Sequence, residues 1–131
     1  MIAVDTSAIV AIAFAEPERQ RFVATILAAD ALLISSVSVI EAHMVIHRRR
    51  GKDALTILTE ILSEPEFIIV PPGPVEIDLA HAAFVTYGKG NGHPAALNFG
   101  DLFSYALAKS RGLPLLFKGD DFALTDVVMA G

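Results

Sequence analysis

Four short apolar runs punctuate the chain without a polar interruption: Ile2-Ala3-Val4, Leu32-Leu33-Ile34, Phe67-Ile68-Ile69-Val70 and Leu115-Leu116-Phe117. A strand with one wet face alternates apolar and polar side chains. A strand that is apolar at every position must be covered on both faces, as in a parallel sheet enclosed by helices. The segments between the runs are long enough for such helices. Strands alternating with helices define an α/β fold with a mostly parallel sheet between helical layers. The composition agrees, with 53% hydrophobic residues and a mean hydropathy of +0.55. Apolar surface kept for a partner would raise both values as well. A membrane span does not account for them, because Asp5, Glu16 and Asp30 interrupt the apolar stretches short of the roughly 18 residues that a spanning helix needs. Met1–Val4 has no basic start and Asp5 follows at once, so no signal peptide is expected and the expected location is cytoplasmic.

Capping and turn residues divide the chain further. Asp5-Thr6-Ser7 closes the first strand and offers caps for a helix over Ala8–Ala15. Pro17 suits the start of a second helix, reaching about Ala29. After the strand ending at Ser35, Ser38-Val39-Ile40-Glu41 has the form of a capping box opening a helix to Arg50, with Gly51 as its stop. Helical character returns over Asp53–Ser63 and Pro74–Tyr87. Gly88–Gly100 is rich in glycine and reads as a loop, Asp101–Arg111 reads as a helix with Gly112 as its C-cap, and Val127-Val128 suggests a short edge strand. The 131 residues fit one domain spanning residues 1–131. Cysteine is absent, which excludes disulfides, thiolate zinc sites and a cysteine nucleophile.

Ligands of open parallel sheets bind beyond the carboxyl ends of the strands. Asp5 follows the first strand, Glu41 lies near the start of the helix after the second, and Asp120 lies just past the fourth. Asp101 joins them if the glycine-rich loop returns the chain to that edge. Each acid also has a purely structural reading. Asp5 can cap a helix, Glu41 can complete the Ser38 box, Asp101 can complement a helix dipole and Asp120 can serve a turn. Taken together these readings weaken, because several carboxylates converging at one edge repel and desolvate badly without a cation. An all-oxygen ligand set suits Mg²⁺ or Mn²⁺ better than zinc. The net charge of −5 argues against a generic nucleic-acid coat, which would be basic.

Other charged groups are candidates for contact. Arg48-Arg49-Arg50-Gly51-Lys52 is the one dense basic run; it is either a solvated helix end that complements the dipole or a grip on phosphate or an acidic protein segment. Lys118 is either a phosphate contact or a surface lysine. His43 and His47 have a metal-ligand spacing but no third partner, which favours packing.

The same residues carry a resemblance to the PIN-domain family, specifically to its VapC-type toxins. Ile2-Ala3-Val4-Asp5-Thr6-Ser7-Ala8 resembles the family's opening motif, and Ser36-Val37-Ser38-Val39-Ile40-Glu41 resembles its second. Asn98-Phe99-Gly100-Asp101-Leu102-Phe103-Ser104-Tyr105-Ala106-Leu107-Ala108 is similar to the third motif. Leu115-Leu116-Phe117-Lys118-Gly119-Asp120-Asp121-Phe122, followed by Thr125-Asp126, is similar to the fourth. The resemblance implies a three-layer α/β/α PIN fold and Mg²⁺-dependent endoribonuclease activity, with Mn²⁺ able to substitute. It also implies a homodimer and inhibition by a small antitoxin that enters the active-site groove. Carried over by position, it makes Asp5, Glu41, Asp101 and Asp120 the acidic quartet, with Asp121 competing with Asp120 to face the metal. Asp5 and Asp101 would be the principal metal ligands and Ser7 a support, while Arg48, Arg49, Arg50 and Lys118 are candidate contacts for RNA or antitoxin by their charge alone.

Competing readings fit less well. A receiver-type phosphoacceptor needs an aspartate at the end of a central strand, where Val70-Pro71-Pro72 stands; a dehalogenase-like phosphatase wants an acid at Ser7. A non-catalytic PIN-like module binding RNA or protein is the alternative to an enzyme.

Overall fold

The structure, a computed structural model, describes residues 1–131. Strands β1 (Ile2–Val4), β2 (Leu32–Ser35), β3 (Phe67–Val70) and β4 (Leu115–Leu116) form one sheet in the order β3-β2-β1-β4, and every pair is parallel. Six helices accompany them: α1 (Thr6–Ala13), α2 (Arg19–Ala28), α3 (Ser36–Arg50), α4 (Leu55–Leu62), α5 (Pro74–Tyr87) and α6 (Phe99–Arg111).

In β1, β2 and β4 the apolar runs are unbroken because successive strand residues enter different cores, whereas β3, at the sheet edge, leaves Ile68 and Ile69 exposed, so that run is not covered on both faces. Ala3, Leu33 and Leu115 face a cluster built with Ala80 and Ala83 of α5 and with Leu102, Ala106 and Leu107 of α6. Ile2, Val4, Leu32, Ile34 and Leu116 face the opposite cluster, with Ile9 of α1, Phe22 of α2, Ala42 and Ile46 of α3, and Leu58 of α4. The pleat sends alternate side chains to opposite faces, so two helices cover one face and four the other. This is the three-layer α/β/α arrangement. No helix is long and apolar enough to cross a membrane.

The local boundaries depart from expectation in instructive ways. Ser35, the last residue of β2, has extended backbone (φ −64°, ψ 140°) and accepts the N–H of Val37, so it caps α3. The strand runs into the helix without a loop, the helix begins at Ser36, and Ser38 is buried inside it. The Ser38–Glu41 capping box therefore does not form. Helix α6 starts at Phe99 rather than Asp101, because Asn98 provides the cap. Helix α2 starts at Arg19, two residues after Pro17. Val127-Val128 forms no strand; the nearest pairing is a single parallel bridge between Leu115 and Met129. Gly112 does end α6, in the left-handed region at φ +62°.

Because the same strands supply both apolar clusters, neither helical layer has a core of its own. The chain is expected to unfold in one cooperative step, with calorimetric and van't Hoff enthalpies equal. Two separated transitions in a calorimetric scan would contradict this.

Candidate active site

Asp5 lies just past β1, buried, and caps α1. Its Oδ2 accepts the Ser7 backbone N–H at 2.9 Å and the Ser7 hydroxyl at 2.6 Å. Its Oδ1 accepts the Ser104 hydroxyl of α6 at 2.5 Å. Ser104 has one proton and gives it to Asp5, so its oxygen accepts from the Ser38 hydroxyl at 3.0 Å. The Ser7 oxygen in turn accepts the backbone N–H of Lys118 at 3.0 Å, tying the exit of β4 to the end of β1. Both serines buried in this relay, Ser38 and Ser104, are satisfied only by it and by Asp5.

Asp101 stands at the third position of α6. Its backbone N–H donates to Asn98 Oδ1 at 2.9 Å, and its Oδ2 accepts the Asn98 N–H at 3.0 Å. The reciprocal box fixes the first turn of the helix and brings Asp101 to the same edge as Asp5. Glu41 reaches that edge from α3 and lies against Gly100 of α6. Asp5, Ser7, Glu41, Asn98 and Asp101 line one open cavity of about 400 Å³, together with Thr6, Val10, Glu16, Val45, Arg49, Lys118 and Gly119.

The cavity is electrostatically uncompensated. Burial, followed by the charge of Asp5, pushes the Asp101 carboxyl up to about 7; Glu41 and Asp121 add to the rise and the Asn98 N–H opposes it. Burial also raises Glu41; the Thr6 hydroxyl works against that shift and the Asp5 charge reinforces it. No ion pair reaches Asp5, Glu41 or Asp101. Lys118 borders the cavity, but its Nζ lies 3.2 Å from Glu16 and 3.3 Å from Glu18. Three carboxylates of hard oxygen with no cationic partner are the donor set that a divalent cation satisfies. No three His, Asp or Glu side chains form a ready-made chelate. An ion at this edge would therefore be held partly through water, the manner in which Mg²⁺ commonly binds.

Residues 2–128 match the PIN domain family. The chain belongs to that family. It is 42% identical over 127 residues to VapC ribonuclease Mb0625 of Mycobacterium bovis, covering 97% of this chain and 96% of that one. Ribonuclease VapC of Mycolicibacterium smegmatis is 41% identical over 124 residues, covering 95% of each chain. Among solved structures, the toxin VapC20 of Mycobacterium tuberculosis, described as cleaving the sarcin-ricin loop, superposes with a TM-score of 0.78 at 18% identity. That match covers 98% of this chain and 97% of the other. VapBC2 of Rickettsia felis, bound to a promoter DNA fragment, gives 0.73 at 14%, over 98% and 97%. Those two likenesses speak to the PIN fold alone.

Within this PIN domain the structure sorts the candidate residues. Asp5, Ser7, Glu41, Asp101, Arg49 and Lys118 share the cavity. Asp120 and Asp121 are exposed on the turn after β4 and do not line it. Gly119, at φ +100°, turns the chain there, and of the two acids it is Asp121 whose charge is felt at Asp101. The fourth acid on the cavity wall is Glu16, neutralised by Lys118. The basic run divides as well. The Arg49 and Arg50 guanidinium groups sit over the Phe14 ring, 5.4 Å and 4.8 Å from its centroid, whereas Arg48 lies beside His43 and His47. His43 Nδ1 donates to the Val39 carbonyl at 2.8 Å, a packing role. Sequence reasoning missed Ser38, Ser104, Glu16 and Phe14. The two serines left one local trace, a polar residue inside an apolar helical stretch, and Glu16 and Phe14 left none.

The raised Asp101 has a measurable consequence. Its unfolded value is about 3.9, so the folded protein holds this proton more tightly. That stabilising contribution is complete below about pH 4 and is lost as the pH rises through about 7. Metal-free wild-type protein is expected to lose more melting temperature than Asp101→Asn between pH 5.5 and 7.5. Equal pH dependence of the two proteins would refute the assigned environment.

Proposed function

We propose that this PIN domain is a divalent-metal-dependent endoribonuclease, the toxin of a type II toxin–antitoxin pair acting in the cytoplasm. The observation that carries the reading is the convergence of Asp5, Glu41 and Asp101, without a cationic partner, at the carboxyl edge of a parallel sheet. The names of the relatives at 42% and 41% identity support the substrate class. Asp5 and Asp101 would hold Mg²⁺, or Mn²⁺ in its place. Glu41 would orient the attacking water or help hold a second ion, with Asp120 or Asp121 contributing from the β4 exit turn. When bound, the metal supplies a lowered pKa for water and charge stabilisation at the phosphate.

The chain's own residues supply the rest. Ser7 and Ser104 hold the Asp5 carboxylate in one rotamer. Glu41 would orient the water that attacks phosphorus, and the proton of that water passes to solvent. The bond from phosphorus to the 3′ oxygen breaks, leaving a 5′-phosphate and a 3′-hydroxyl that takes its proton from solvent. An antitoxin partner and homodimerisation complete the proposal. The VapBC2 complex among the structural neighbours supports the antitoxin, and exposed apolar side chains such as Ile68, Ile69, Val75 and Ile77 leave surface for a partner or a second copy.

Replacing Asp101 by Asn preserves shape and removes a ligand charge; Asp5→Asn removes a charge as well but also leaves Ser7 or Ser104 without its acceptor, so it is expected to melt lower than Asp101→Asn. Cleavage of RNA in Mg²⁺ is expected to fall by more than the roughly 10–100-fold typical of outer-sphere changes, with the circular dichroism spectrum unchanged. Wild-type rates in both variants would overturn the assignment. Absence of Mn²⁺ binding by the wild type would favour the binding-module alternative.

Arg49 is the cavity's one basic group without an acidic partner. Its stacking on Phe14 leaves its N–H groups for phosphate. Arg49→Gln is expected to raise KM several-fold and to lessen the salt dependence of RNA binding by about one unit of log–log slope. Lys118→Gln, already neutralised in the wild type, should change that slope less. The reverse ranking would remove Arg49 from the RNA contact.

A further inference from the structure

Gly100 occupies the first turn of α6, where it is buried. Glycine is the poorest helix former after proline, and its backbone here is not left-handed, so local conformation gives no reason for it. The surroundings do. A Cβ at this position would stand 2.7 Å from both Cδ and Oε1 of Glu41 and nearer still to Oε2. These three nearest atoms all belong to the Glu41 carboxylate. The missing side chain is therefore what lets that carboxylate lie on the N-terminal turn of α6, one residue from Asp101. The position also sets an anion at the positive end of a helix dipole, which partly offsets repulsion from Asp101 and Asp5.

We infer that Gly100 is a positioning residue for Glu41, setting its carboxylate beside Asp101 by leaving the space it occupies. The catalytic consequence rests on the nuclease reading; the positioning itself does not. The obstructing atoms are the far end of a flexible side chain, so a methyl group at position 100 is accommodated by Glu41 swinging away. The fold survives, and the loss falls on chemistry.

Four proteins test this: wild type, Gly100→Ala, Glu41→Ala and the double variant. With Glu41 present, alanine at 100 gains helix propensity but displaces the carboxylate, and the melting temperature should change little. With Glu41 truncated the collision is gone, and the same substitution should raise the melting temperature by about 3–5 °C. In RNA cleavage, Gly100→Ala should cost at least about 10-fold in kcat with little change in KM, and should cost nothing further in the Glu41→Ala background. In a Glu41→Asp background, where the carboxylate is one methylene shorter, the penalty should shrink. Equal melting shifts in both Glu41 backgrounds would overturn the inference, as would equal rate losses in both. Non-additive melting shifts in a protein whose wild type cuts no RNA would sustain the positioning of Glu41 and sink the nuclease reading instead.

Discussion

The Asp5 carboxylate is the hub on which the arrangement turns. It accepts three hydrogen bonds, two from Ser7 and one from Ser104, and through them it joins four elements. Its backbone ends β1 and its side chain caps α1. Ser104 brings in α6, and Ser38 behind it brings in α3. Ser7 receives the N–H of Lys118 from the exit of β4, and Thr6 adds a bond to the Ser38 carbonyl at 3.0 Å. A charge-assisted hydrogen bond contributes about 1.5–3 kcal/mol, enough for this set to hold a carboxylate that is 2% exposed. No buried side-chain polar atom is left without a partner, so the polar network is completed rather than tolerated.

That completeness stops at Asp5. Glu41 and Asp101 are desolvated against it without equivalent donors, and both are pushed toward protonation. The nearby cations do not relieve them: Lys118 is held by Glu16 and Glu18, and Arg49 is stacked on Phe14. A fold selected for stability alone would turn one of these bases inward. Concentrating unmet negative charge at one edge of an otherwise satisfied structure is the local inconsistency expected of a functional site.

How far the sequence foretold this depends on the range of the interactions involved. Strands β1, β2 and β4 were legible because burial on both faces leaves a local mark, an apolar run; β3 carries the same mark although Ile68 and Ile69 are exposed at the sheet edge. The carboxyl-edge placement of Asp5 followed from chain direction. Asp101 was legible twice over, since its capping role with Asn98 and its place in the cavity are compatible. Ser38-x-x-Glu41 misled because a capping box and a mid-helix pair have the same local pattern; only the strand running straight into α3 at Ser35 separates them. Ser104 was invisible because its partner is 99 residues away and it stands in an apolar helical stretch. Asp120 looked equivalent to the other acids in order along the chain, but the path of the Gly119 turn, which no local pattern specifies, leaves it off the cavity wall.

The first turn of α6 shows how local preference and site geometry are reconciled. Gly100 weakens the turn as a helix, and Asp101 carries a charge that its surroundings penalise. Asn98 offsets both. Its side chain satisfies the N–H of Asp101, and its own N–H is bound by the Asp101 carboxylate. A cap of this kind contributes about 1 kcal/mol, comparable to what glycine forfeits relative to alanine. Three demands are thereby met within four residues: a backbone thin enough for Glu41 to approach, a carboxylate placed in the same cavity as Asp5, and a helix start strong enough to sustain them. The helix behind that turn is nearly all core, with Leu102 and Ser104–Ala108 buried. It is the packing of α6 against the sheet that converts this local compromise into a fixed distance between acids.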